Sequence, residues 1–214
     1  MNTECSACKS ATLTESLVAS GLPIDFADRS ESLSTFRVKF ADNPSCRKAS
    51  IAAHALVNSL GRKLERPFLY IGGPKGTGKT HLACGVVAAA VTAGYRARFR
   101  EWGSITTEIV ASYGDHTTDD LIDFYKTIPV LAIDDVGAQK ISSAGVDKFY
   151  MVLNHRMNQR LATVLTSMYT QGEQLGSLLS QTAHDDKLVE AILDRIRGFA
   201  VIVPLTGEST RTRA

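Results

Sequence analysis

The twelve residues from Gly72 to Ala83, GGPKGTGKTHLA, restrict this chain more than any other segment. Gly73, Gly78, Lys79 and Thr80 fit the spacing GxxxxGK[ST] without a gap. Glycines let a backbone curl until successive N–H groups point at one centre, an arrangement that suits phosphate oxygens. A lysine in this position reaches the terminal phosphates, and the threonine hydroxyl takes a place on Mg²⁺. A helix starting here turns its positive end to the same anion. The plain alternative is a glycine-rich loop that meets the pattern by chance. The short apolar run Pro67–Ile71 before it and the Ala/Val-rich run Leu82–Ala93 after it argue against chance, because the loop needs a strand and a helix at its two ends. Gly73, Pro74, Lys75, Gly76, Thr77, Gly78, Lys79 and Thr80, with His81, are therefore read as an ATP·Mg²⁺ site.

A second signal lies some fifty residues on, at Val130–Gly137, VLAIDDVG. An acid at the end of a buried strand can hold Mg²⁺ through water beside such a loop, and Asp134 has that place. Asp135 would polarise the attacking water. Adjacent acids also cap strands and open turns, so it is the pairing with an intact phosphate loop that favours chemistry.

Between and beyond these motifs, strands alternate with helices. Apolar runs predict strands at 67–71, 96–100, 129–133, 162–167 and 199–203. Helical spacing predicts helices at 45–60, 78–93, 104–112, 118–126, 144–159 and 186–196. This order implies an α/β fold with a mostly parallel sheet covered on both faces. A length of 214 residues suits one packed domain, read as 45–214. Residues 1–44 are short on periodicity and read as a partly extended arm, with one short helix near Thr12–Ser20. No apolar run approaches a membrane span, so no membrane role is expected. MNTECSACKS lacks a basic start followed by an apolar core, so the expected location is cytoplasmic and the four cysteines are expected to be reduced.

With these residues in hand, the chain resembles the AAA+ ATPases of the DnaC/DnaI helicase-loader and IstB transposition-helper group. The resemblance runs from about Gly21 to the C-terminus. It rests on Gly21-Leu22-Pro23 with Phe26 and Phe36, the phosphate loop with Thr80-His81-Leu82-Ala83, and Ile133-Asp134-Asp135-Val136-Gly137. Downstream it includes Asn154-His155-Arg156, Thr166-Ser167, Asp194-Arg195-Ile196 and Gly207-Glu208-Ser209-Thr210-Arg211. It implies an AAA+ type P-loop fold of five strands, here without a C-terminal lid domain. It also implies slow, assembly-dependent ATP hydrolysis by a homo-oligomeric ring or spiral on single-stranded DNA. The implied partner is a replicative helicase or, alternatively, a transposase; a third reading is a nucleotide-gated interaction module with negligible hydrolysis.

The resemblance gives Arg195 the role of a finger that completes the neighbouring subunit's site, where a planar permanent cation stabilises charge on the transferring phosphoryl. A helix-end arginine favoured by the dipole is the plain alternative, and Arg197 is a second candidate. One departure matters: the group carries an Asn sensor where this chain has Met168, and a thioether cannot donate a hydrogen bond. Either Thr166 or Ser167 takes its part, or turnover is slow.

Two further readings stay open. Cys5-x-x-Cys8 has half the spacing of a zinc site and no second pair nearby, so an unligated tail is expected over a zinc shared between subunits. With a net charge of only +2, any DNA surface must be a local patch. Arg96, Arg98 and Arg100, with Trp102 and Tyr113, are candidates, since positive charge beside an aromatic platform suits single strands. The same residues would serve equally as a solvated sheet edge and two core aromatics. Arg156 matches a recurring basic position of the group and joins the candidates; the basic end at Arg211 and Arg213 reads as phosphate attraction or a charged tail.

Overall fold

The computed structural model describes residues 6–23, 26, 32–39, 42–112, 117–139, 142–170, 175–176, 179–181, 186–207 and 209. In chain order its elements are α1 (Ser6–Ala19), α2 (Leu33–Lys39), α3 (Pro44–Asn58), β1 (Phe68–Gly72), α4 (Lys79–Thr92), β2 (Ala97–Glu101) and α5 (Trp102–Ser112). There follow α6 (Thr118–Thr127), β3 (Val130–Asp134), α7 (Ser143–Asn158), β4 (Ala162–Ser167), α8 (Asp186–Phe199) and β5 (Ala200–Pro204). The strands pair in the order β2-β3-β4-β1-β5, and every pair is parallel. This confirms the expected α/β architecture of five strands. Among the described residues no element follows β5, and no helix is long and apolar enough to cross a membrane.

Strand alternation sorts the core into two layers. Leu69 and Ile71 of β1, Val130 and Ala132 of β3, and Val164 of β4 face the layer formed with α3 and α4. Phe68, Tyr70, Leu131, Ile133 and Leu165 face the opposite layer, with α5, α6, α7 and α8. Because both faces are covered, the central strands are buried end to end rather than alternating.

In the first 44 residues, α1 covers most of the short helix expected near Thr12–Ser20 and starts earlier, and α2 was not expected. Their described residues include the helices α1 and α2, and Leu22, Phe26, Leu33 and Phe36 join the core layer of α3 and α4. Their apolar residues are too sparse to show a period, so it is tertiary burial that orders them. The Phe99 N–H donates to Ser20 O at 2.8 Å, and Arg98 Nη1 donates to Ala19 O at 2.7 Å, where the last carbonyls of α1 lack helical partners. The edge of β2 is thereby tied to this segment.

Three of the DNA candidates are corrected by the packing. Arg156 is fully buried: Nε donates to Thr163 Oγ1 at 2.8 Å, Nη1 to Tyr125 O and Ile128 O at 2.9 and 2.7 Å, and Nη2 to Ala162 O at 2.7 Å. Burial pulls its pKa down to about 9, which leaves it charged at neutral pH. It is a strut between α6, α7 and β4, out of reach of DNA. Arg156→Met is expected to leave several buried carbonyls unpaired, costing about 3 kcal/mol or roughly 6–12 °C in Tm, read by thermal unfolding. Trp102 is 2% exposed and packs edge-on against Phe149 at 4.5 Å, so it offers no platform for a base. Arg100 is spent on Glu108, with Nε donating to Oε1 at 2.8 Å, and Glu108 in turn accepts from the Tyr125 hydroxyl. Arg98, besides its bond to Ala19, lies over the Phe124 ring. Arg96 alone of the three β2-region arginines is exposed, just before the strand. Tyr113, Arg211 and Arg213 lie outside the described residues.

Candidate nucleotide-binding site

The loop between β1 and α4 begins where the sheet ends. Gly76 and Gly78 have φ of 80° and 92°, a region that L side chains rarely adopt, and a Cβ on Gly76 would also lie 2.0 Å from Ser209 Oγ. Gly78 is the N-cap of α4 and no side chain caps the helix there. The first N–H groups of α4 therefore open toward the loop, where an anion suits them and the helix dipole alike. Thr77 closes the loop on itself by donating from Oγ1 to Pro74 O at 2.9 Å. Lys79 is 5% exposed, and its ammonium donates to Gly73 O and Pro74 O, both at 2.8 Å. A buried ammonium held at the loop's mouth by carbonyls it can exchange for stronger acceptors fits a phosphate ligand.

The acid of β3 stands directly across from this loop. Asp134 is 3% exposed; Thr80 Oγ1 donates to its Oδ2 at 2.8 Å, and the Thr166 hydroxyl donates to Oδ1. Burial raises its pKa above the ordinary carboxylate value, and the two hydroxyls, with more distant Lys79, oppose that rise. A buried carboxylate beside a threonine hydroxyl is a donor set that fits Mg²⁺, a hard cation that takes oxygen ligands. Asp134 and Thr80 would hold the ion, which when bound neutralises charge on the phosphates. Folded Asp134 keeps its proton to higher pH than in the unfolded chain, so its ionisation disfavours the fold as pH rises through that window. Asp134→Asn is accordingly expected to raise Tm at pH 7. The difference in Tm from wild type should close as pH falls, and paired thermal scans over pH check this.

Asp135 leaves β3 at φ 54° and is exposed, with its N–H donating to Thr166 Oγ1 at 2.9 Å. A non-glycine residue there carries backbone strain, which gathers at functional sites. Thr166 thus bridges both aspartates, whereas Ser167 donates to Val136 O at 2.7 Å and braces the turn after β3. Of the two residues weighed against Met168, Thr166 is the one that touches the acid.

Lys79, Thr80, Asp134, Asp135 and Thr166 are therefore brought together. His81 is not: one position past Thr80 on α4, it faces the other way, with Nε2 3.2 Å from Ser32 O and its ring against Phe26 and Phe36. It anchors α2 and does not line the nucleotide loop. Arg195 is set apart on α8, half-buried against α7. Its Nε and Nη2 donate to Asn154 Oδ1 at 3.0 and 2.8 Å, Nη2 also donates to Tyr150 Oη at 3.0 Å, and Nη1 donates to Ala191 O at 2.9 Å. Arg197 lies 3.6 Å from Asp194 on the exposed side of α8. Cys5 and the side chain of Cys8 lie outside the described residues; among those described no cluster of three or more metal-ligating side chains occurs.

A clasp that no sequence motif fully announces closes over the loop. The Leu205 N–H donates to Gly72 O at 2.6 Å, and Ser209 lies beside Gly76. Asn43 fastens this segment: Nδ2 donates to Thr206 O at 2.6 Å, while Oδ1 accepts from the N–H groups of Ser45 and Cys46. The signal was present in Asn43-Pro44, an N-cap followed by proline at the first helical position. The long-range partner of the cap was not legible.

Comparison with known proteins places the chain in a family and shows relatives of the same fold. The family model described as IstB-like ATP binding protein matches residues 58–214. The replicative helicase loader DnaI of Bacillus subtilis is 29% identical over 67% of this chain and 47% of its own length. A protein of insertion sequence IS5376 from Geobacillus stearothermophilus is 27% identical over 81% of this chain and 66% of its own length. The chain thus spans between about half and two thirds of these relatives. Among solved structures, that of DnaI superposes with a TM-score of 0.67 at 28% identity, covering 77% of this chain and 87% of that one. AMPPCP-bound DnaA from Aquifex aeolicus shares the fold, with a TM-score of 0.69 at 21% identity over 86% of this chain and 52% of that one.

Proposed function

Since the chain belongs to the IstB-like ATP binding protein family, we propose that it is an ATPase that loads or remodels a replicative helicase on single-stranded DNA. The observation that carries the reading is the linked set Thr80–Asp134–Thr166 facing the Lys79 loop, which supports a hydrolytic site rather than a binding loop alone. The similarity to the helicase loader DnaI supplies the substrate of the work. In this reading Lys79 and the α4 N-terminus bind the phosphates. Asp135 orients water and accepts its proton. Thr166 keeps Asp134 turned toward Thr80 and takes over the polar place vacated at Met168. Arg195 completes the site of a neighbouring copy, so hydrolysis waits on assembly along DNA. ATP holds the assembled form, and its hydrolysis releases the helicase.

A second reading rests on the longer match to the insertion-sequence protein: the same ATP-gated assembly marks target DNA for a transposase. Capture experiments separate the two. With ATP present, a loader retains a hexameric replicative helicase on beads and delivers it to a single-stranded oligonucleotide. A transposition helper leaves the helicase in the supernatant and retains its transposase. An ATPase rate of zero at every protein concentration, with ATP still bound, would sink both and leave a nucleotide-gated interaction module.

A further inference from the structure

On the side of the sheet away from β2, a groove of about 1120 Å³ runs between α3 and the outer edge of β5. Val201, Ile202, Val203 and Pro204 all line it. Successive strand side chains point to opposite faces, so a groove that touches four in a row follows the strand's edge. Ile51 of α3, Val201 and Ile202 are 69%, 38% and 43% exposed, and these three are the large exposed apolar side chains that line the groove. Large apolar side chains left exposed along one groove favour an interaction site.

The backbone at that edge has an identifiable polarity. β5 pairs with β1 on one side and with no strand on the other among the described residues. The Leu205 N–H points inward, to Gly72 O, so by alternation Val201 and Val203 also bond inward, while Ala200, Ile202 and Pro204 turn outward. Arg66 Nη1, 3.4 Å from Ala200 O, agrees with that phase. The Ile202 N–H and C=O and the Pro204 C=O therefore face the groove. Such an edge templates an added strand, and Pro204, which has no N–H, keeps the ladder short.

Charge selects among strands. Lys48, Arg62, Lys63 and Arg66 line the groove and are exposed, against Glu65 as the one acid of the lining. That is a local +3 in a chain whose whole net charge is +2, so the remainder carries −1. None of the four cations forms an ion pair among the described residues.

We propose that this groove docks an extended acidic segment of a partner protein. The segment adds a strand to β5 at Ile202, seats alternate apolar side chains between Ile51 and Val201, and sets its carboxylates against Lys48, Arg62, Lys63 and Arg66. A nucleic acid suits the groove less well, since its one aromatic, Phe68, is fully buried and no exposed ring is offered for stacking. The proposal stands apart from the nucleotide reading, because no residue that holds the phosphate loop is used.

The test is fluorescence anisotropy on the full chain with three labelled probes: a peptide alternating Glu and Val over eight residues, its Lys counterpart, and a twenty-residue oligothymidine. The acidic peptide should bind and the basic one should not. Ile51→Glu and Lys63→Glu should each weaken the acidic peptide by about tenfold, as loss of one anchor does, and N-methylation of its central amides should do the same. Tm and binding of a fluorescent ATP analogue should stay at wild-type values in both variants, which separates loss of docking from loss of fold. Equal peptide affinity in wild type and both variants overturns the proposal. So does oligothymidine binding that falls with Lys63→Glu but not with Ile51→Glu, which would make the face a nucleic-acid surface. Self-association of the wild type that Ile51→Glu abolishes and the peptide fails to compete would instead assign the groove to a second copy.

Discussion

Lys79→Ala is expected to weaken ATP binding by on the order of a hundredfold or more while leaving the fold intact. The ammonium is buried against the loop, and its bonds to Gly73 O and Pro74 O, 2.8 Å each, hold it there. Charge-assisted hydrogen bonds contribute about 1.5–3 kcal/mol apiece, and two exchanged onto phosphate oxygens correspond to roughly 3–6 kcal/mol, where each 1.4 is tenfold. Titration with a fluorescent ATP analogue measures the loss. Thermal scans measure it a second way, since a ligand that binds only the folded chain raises Tm and the variant should show no rise. Undiminished binding in Lys79→Ala would place the nucleotide elsewhere and remove the premise of the proposed function.

Arg195→Ala carries the second large effect, on rate rather than affinity. A finger supplied across an interface contributes about 10³–10⁵ in kcat in phosphoryl transfer, so turnover should fall by at least about 10³ with the affinity for ATP unchanged. The side chain is already organised on its own subunit. It stacks over the Tyr150 ring at 4.7 Å, and its bonds to Asn154, Tyr150 and Ala191 engage four of its five N–H donors. A flexible surface arginine would lose more entropy on reaching a neighbour. Mixing gives the sharper test: Lys79→Ala subunits, left empty at ATP concentrations that fill Arg195→Ala subunits, still carry Arg195 and should restore hydrolysis to them. Two dead variants that stay dead together would show that Arg195 serves α7 and α8 alone.

The parts of this site that were legible in the sequence share one property: their meaning is local. The phosphate loop is contiguous, and Asp134 ends a strand that is apolar throughout, so strand, loop and acid could be placed from spacing alone. Residues whose role depends on distant partners were misread. Arg156 has the charge of a DNA contact, but the carbonyls of Tyr125, Ile128 and Ala162 that surround it come from other elements. Arg98 and Arg100 alternate with Phe99 as a strand face should, and bonds to the end of α1 and to Glu108 engage part of each guanidinium. His81 adjoins Thr80 in sequence but falls on another face of the helix, and only the positions of Phe26 and Phe36 reveal what it is for. The helix α2 escaped notice because seven residues with two buried apolar anchors show no period.

The strand order has a consequence for how the chain is made. β1, which carries the phosphate loop, sits between β4 and β5, so Phe68 finds its two neighbours at Thr163 and Ala200, 95 and 132 residues further along. During synthesis the loop therefore emerges long before either flank that will fix it. Pairings so distant in sequence form slowly, and exposed strand edges wait in the meantime. The pocket cannot exist until β5 has closed over Gly72 through Leu205. A nucleotide that binds the closed form and not its precursors would draw the last docking step forward. In the proposed function, nucleotide held on the loop would then report that β5 has docked.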